Sequence, residues 1–127
     1  MRTSLWIAIA LLIVTIGGSL FEAGETKSMS QRYVSASEEL LIMVEKQDWT
    51  HAEDTVAAYL QSWEQTIPWL QILINHDDID DVTLSLVRLQ AGIRVREKSA
   101  CYEACAELKE DARHIHHRDA FTLGNVL

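Results

Sequence analysis

The chain is short of positive charge, proline and glycine, and each shortage excludes something. Its 11 Lys and Arg are outnumbered by 19 Asp and Glu, leaving a formal net charge of −8. Every acid and every base except Arg2 lies beyond residue 21, so that part alone carries −9. A field of that sign repels phosphate backbones and anionic headgroups. No basic patch with interleaved aromatics offsets it, so no nucleic acid is expected as a partner. Proline occurs once, at Pro68, and past residue 21 glycine occurs only at Gly24, Gly92 and Gly124. A β-sandwich or barrel needs many turns made from those residues. Few breakers, with many Glu, Ala, Leu and Gln, point to helices instead.

Catalytic signatures are missing as well. There is no HExxH, no P-loop, no glycine-rich phosphate cradle and no Ser-His-Asp ordering. No catalytic residue and no cofactor is therefore assigned, and the chain is read as a non-enzyme.

What is present begins with an apolar run, Leu5 to Phe21, uncharged until Glu22. A helix rises about 1.5 Å per residue, so seventeen residues sit at the lower limit for a hydrocarbon core of about 30 Å. Residues 1–21 are read as a membrane anchor contacting the bilayer through residues 5–21. A cleaved signal ending near Gly17 and Ser19 is the alternative, and it would leave the domain secreted. The anchor is preferred because Leu20 and Phe21 prolong the run where a signal turns polar. Arg2 precedes the run and Glu22 and Glu25 follow it, so the positive-inside rule places the N-terminus in the cytoplasm. The rest of the chain is then extracytoplasmic.

Residues 22–29 are polar and aperiodic, and read as a linker. Residues 30–127 read as one helical domain. A first helix, about residues 30–47, carries Tyr33, Ser37, Leu40, Leu41 and Val44 on one side. A second, capped by Asp48, has the stripe Trp49, Ala52, Val56, Tyr59/Leu60, Trp63, Ile67, Leu70, Ile74. Pro68 lies within that stripe and predicts a kink near residues 64–67. A third helix, capped by Asp77 or Asp78 and ending near Glu97, presents Ile79, Val82, Leu86, Leu89 and Ile93. A fourth, capped by Ser99, presents Cys101, Ala104/Cys105, Leu108, Ala112 and Ile115, and the tail 121–127 is apolar enough to pack back. The expected fold is all-α: an N-terminal transmembrane helix plus an antiparallel four-helix bundle or paired helical hairpins. A faint echo between residues 48–52 and 97–101, each a polar turn before a helix, also allows tetratricopeptide-like packing.

Three constellations hold residue types that chemistry uses. His76, Asp77, Asp78, Asp80 and Asp81 crowd one turn, and His114, His116 and His117 crowd the end of helix four. If the two ends meet, His76, Asp80 and His114 are candidate metal ligands. Caps and dipole-favoured charges account for the same residues without a metal. Cys101 and Cys105, four apart on an inner face, read as buried free thiols, because a disulfide at that spacing is strained and closes too short a loop to constrain much. Trp49 and Trp63 read as core rather than as an aromatic ligand site, and Trp69, beside the stripe, as partly exposed.

The residues 45–49 with Ala52 and Trp63, the run Ile74-Asn75-His76-Asp77-Asp78-Ile79-Asp80, and Leu84-Ser85-Leu86-Val87-Arg88-Leu89 resemble the bacterial domain-of-unknown-function family 4363. Residues 104–108, His114-Ile115 and the closing 123–127 are similar to it too. The resemblance implies a membrane-anchored helical protein and supplies no activity. Cys101, Cys105 and Pro68 depart from the family pattern. The function expected is an interaction or scaffold protein meeting a protein partner at the outer membrane face. The alternative is a metal- or ligand-sensing module using His76, His114 and a neighbouring Asp.

Overall fold

The computed structural model describes the backbone of residues 2–126 and the side chains of residues 2–17 and 26–115. Four helices account for it: α1 (Arg2–Glu45), α2 (Trp49–Leu73), α3 (His76–Arg94) and α4 (Lys98–Val126). Among the described residues there is no strand. α1 packs on α4 and α2, and α3 packs on α4 and α2, while the diagonal pairs scarcely meet. That ring of neighbours is an up-down-up-down four-helix bundle. Tetratricopeptide-like stacking would set α1 against α3, and it does not form.

The core follows the predicted stripes. Tyr33, Leu40 and Val44 of α1, Ala52, Val56, Trp63 and Leu70 of α2, and Ile79, Val82, Leu86, Leu89 and Ile93 of α3 are buried. So are Cys101, Ala104, Cys105, Leu108, Ala112 and Ile115 of α4. Leu41, Trp49, Tyr59, Leu60, Ile67 and Ile74 pack half-buried around them. α2 runs unbroken through Pro68, six positions before its C-cap residue Ile74.

Several local features differ from the expectation. Residues 22–29, expected as a linker, are helical, so α1 is a single 44-residue helix. Gly24 is the only breaker there, and Thr26, Met29 and Ser30 are buried in the bundle, which holds the segment in the helix. Asn75, not Asp77 or Asp78, caps α3: its side-chain oxygen accepts from the Asp77 amide at 3.2 Å. Asp48 does sit at the N-cap of α2 but makes no cap bond, its carboxylate lying 3.3 Å from His51 Nδ1. Helix α4 begins one residue before Ser99, and α3 ends at Arg94 rather than near Glu97. The side chains of the tail 121–127 lie outside the described residues.

The faint echo has a structural counterpart. Gln47 and Arg96, 49 positions apart, both take φ of 58° in the turns after α1 and α3. In the first turn the amides of Gln47 and Asp48 donate to the carbonyls of Val44 and Met43; in the second those of Arg96 and Glu97 donate to Ile93 and Gly92. Both are Schellman endings, built with a residue that has a Cβ where glycine is usual. The same offset relates buried Leu40 to Leu89, Val44 to Ile93, Ala52 to Cys101 and Val56 to Cys105. The bundle is thus two helical hairpins of one design, closed on each other.

Candidate functional site

The metal candidates are not gathered. His76 and Asp80 are exposed at the start of α3, and His114 Nε2 lies 3.4 Å from Glu110 Oε1 of its own helix. Neighbouring Ser85 and Asp111 set α3 against α4 through a 2.6 Å hydrogen bond, the Ser85 hydroxyl donating to Asp111 Oδ2. That register puts His114 beside the second turn of α3, about 9 Å along the axis from His76. Among the described residues no group of three or more His, Cys, Asp and Glu is placed to hold a metal ion. The side chains of His116 and His117 lie outside the described residues.

Cys101 and Cys105 are free, buried thiols. Burial pushes both up, Cys105 to about 12, with the charge of Cys101 adding to the effect there. A thiol held protonated in this way is a packing group rather than a nucleophile. Gly92 explains the close approach of α3 and α4: a Cβ there would lie 3.1 Å from Cys101 Sγ.

An aromatic hub, which the stripes alone did not reveal, joins three helices. Tyr33 of α1 meets Trp63 of α2 edge-on, ring centroids 5.0 Å apart, and Tyr59 at 6.1 Å. The indole N–H of Trp63 donates to Thr83 Oγ1 of α3 at 2.8 Å, and the Thr83 hydroxyl donates to the Ile79 carbonyl. The Tyr59 hydroxyl donates to Glu39 Oε2 at 2.6 Å, which raises its pKa to about 12, and partial burial adds to the rise. Trp63 is closed from solvent, whereas Trp69 is 37% exposed.

The surface divides by charge, a feature that counting charges over the whole chain misses. Between Lys46 and Arg88 the sequence has no Lys or Arg and eight carboxylates. Seven of the eight, on α2 and the start of α3, are exposed, and Asp78 alone is buried. Cations are instead spent on α1, α3 and α4, in the Lys109–Glu38 and Arg88–Glu107 pairs at 3.3 and 3.1 Å. Along the outer line of α3, Asp77, Asp80, Leu84, Val87 and Ala91 follow one another at three- and four-residue steps, all exposed. Leu84 is 48% and Val87 42% exposed. Acidic side chains thus open this line and apolar ones continue it, up to exposed Arg88.

Fold and surface together define a class: an up-and-down helical bundle on an overlong first helix, with one acidic side. The comparison with protein families is specific within that class. The profile of a domain of unknown function, DUF4363, matches residues 21–126, and the chain belongs to that family. No curated protein and no solved structure matches it.

Proposed function

We propose that this protein is a non-enzymatic, membrane-anchored interaction domain that docks a protein partner on the extracytoplasmic side. The observation that carries the reading is the acidic stretch of α2 and the start of α3, with no Lys or Arg between Lys46 and Arg88, continued along α3 by exposed Leu84 and Val87. Its complement is a cationic partner surface with an apolar patch, held by charge against α2 and the start of α3 and by apolar contact at Leu84 and Val87.

The anchor is the other half of the reading. Among the described residues no helix is long and apolar enough to cross a membrane, and the described side chains of the run stop at Gly17. What supports the anchor is the sequence through Phe21 together with the exposure of every side chain from Arg2 to Gly17. Leu5, Trp6, Leu11, Leu12, Ile13 and Val14 are each at least 60% exposed, on all sides of the helix. Apolar surface of that extent on a helix with no protein around it fits hydrocarbon better than water.

A pull-down from source-cell membranes with the full chain in mild detergent tests the docking. A partner retained by the wild type, lost in high salt and lost with Leu84→Asp/Val87→Asp is the expected result. Recovery of the same protein by both chains, or of none by either, overturns the docking face.

A further inference from the structure

We infer that the lower end of the bundle, at the close of α2, is itself a membrane-contact surface, with Ile72 and Trp69 seated in the lipid interface. The inference rests on the anchor reading above and adds a second point of attachment to it. Its basis is the continuity of α1. No linker separates the apolar run from the domain: Phe21 and buried Thr26 belong to one helix, five residues or about 7 Å apart. A bilayer of about 30 Å hydrocarbon is about 40–45 Å thick with its headgroups, so each interfacial layer is roughly 5–8 Å deep. A bundle that starts about 7 Å above the hydrocarbon edge therefore stands in the headgroups.

The antiparallel register then says which residues stand there. The Tyr33 and Trp63 rings, 5.0 Å apart, level α1 with α2. Descending seven residues on each helix brings Leu70 level with Thr26, and both are buried. Two residues further, Ile72 is level with residue 24, between Thr26 and the end of the apolar run. Ile72 is 81% exposed, the highest value of any large apolar residue described, including those of the run itself. Trp69, 37% exposed, lies one turn higher. At about 9 Å above Phe21 it stands at the outer edge of the headgroup layer, the level at which amphipathic aromatic rings are enriched. The exposed carboxylates Asp77, Asp80 and Asp81 begin the next helix at the same end. They stay hydrated, which confines the contact to the interface and favours zwitterionic over anionic lipid.

The test uses the full chain in phosphatidylcholine bilayers, carrying one environment-sensitive fluorophore on an introduced cysteine. The native thiols are buried and do not compete. Three exposed positions are labelled in turn: Ile72→Cys, Val14→Cys in the apolar run, and Ile42→Cys near the far end of the bundle. Lipids brominated near the top of their acyl chains act as the quencher. A fluorescence loss at 72 comparable to that at 14, with none at 42, is the expected result. Loss at 14 with none at 72 overturns the second attachment and leaves the anchor standing. No loss at 14 removes the anchor reading itself.

Discussion

Removing the Trp63 indole donor, its Thr83 acceptor or both gives a direct measure of what holds the bundle together. Trp63 is fully buried, stacks edge-on against Tyr33 and donates to Thr83 Oγ1, so it touches α1 and α3 from α2. Trp63→Ala should cost about 3–5 kcal/mol, a large share of the roughly 5–15 kcal/mol that a domain has. For a domain of about 100 residues that corresponds to a fall in Tm of at least about 12 °C. Thr83→Val keeps the side-chain shape but strands the indole N–H in the core, at about 1–3 kcal/mol. In a Trp63→Phe background no donor remains to strand, so the same Thr83→Val change should be close to neutral. The double-mutant cycle should therefore show a coupling of about 1–2 kcal/mol. Urea unfolding of the full chain in detergent micelles, followed by far-UV circular dichroism, reads all four stabilities. An equal cost for Thr83→Val in both backgrounds would refute the hub, and Trp69→Phe, at a 37% exposed site, should change little.

Other outcomes follow from the turns, the thiols and the helix contact. Gln47→Gly and Arg96→Gly should each stabilise by about 0.5–1 kcal/mol, since φ of 58° strains a residue with a Cβ; a loss of stability in denaturation would contradict the Schellman geometry. Gly92→Ala should destabilise by about 1 kcal/mol despite better helix propensity, because its Cβ meets Cys101 Sγ at 3.1 Å. Adding Cys101→Ala should recover the loss, and an additive cycle would place the strain elsewhere. Both thiols have folded pKa values above their unfolded ones, so the stability they contribute is complete below the unfolded value of 9.0. It should fall from there up to about 12, the folded value for Cys105, and Cys105→Ala should flatten that alkaline limb in a pH series of unfolding curves. At about pH 8 iodoacetamide should leave both thiols unmodified until denaturant is added; rapid native alkylation would show them accessible. Calorimetry of the full chain with Zn²⁺ should give no heat at micromolar metal, and a heat abolished by His76→Ala would reinstate the histidine site.

Much of the fold was legible because a helix repeats its inner face every three to four residues. The α3 stripe Ile79, Val82, Leu86, Leu89, Ile93 is buried throughout, and so is the α4 stripe from Cys101 to Ile115. Caps were less legible, since several short polar side chains stand near each start and backbone torsions choose among them; Asn75 displaced its two acidic neighbours in this way. The polar, aperiodic stretch 22–29 resembled a linker because its helix is imposed by what its far end packs against, not by its own pattern.

By itself the sequence determined the all-helical class, the inner faces, the acidic balance and the apolar run. All of these depend on residue type and near-neighbour spacing along one chain. Tertiary structure decided what depends on residues far apart in the chain meeting. It closed the two hairpins into a ring instead of a stack, because α1 found α4. It drew Tyr33, Trp63 and Thr83 into one hub and kept His76 apart from His114, since helix register fixes which residues share a level. It also made α1 continuous from the apolar run into the bundle, which puts Ile72 and Trp69 at the same end as that run. Spacing along a helix gives each residue its face, but only packing between helices gives it a neighbour.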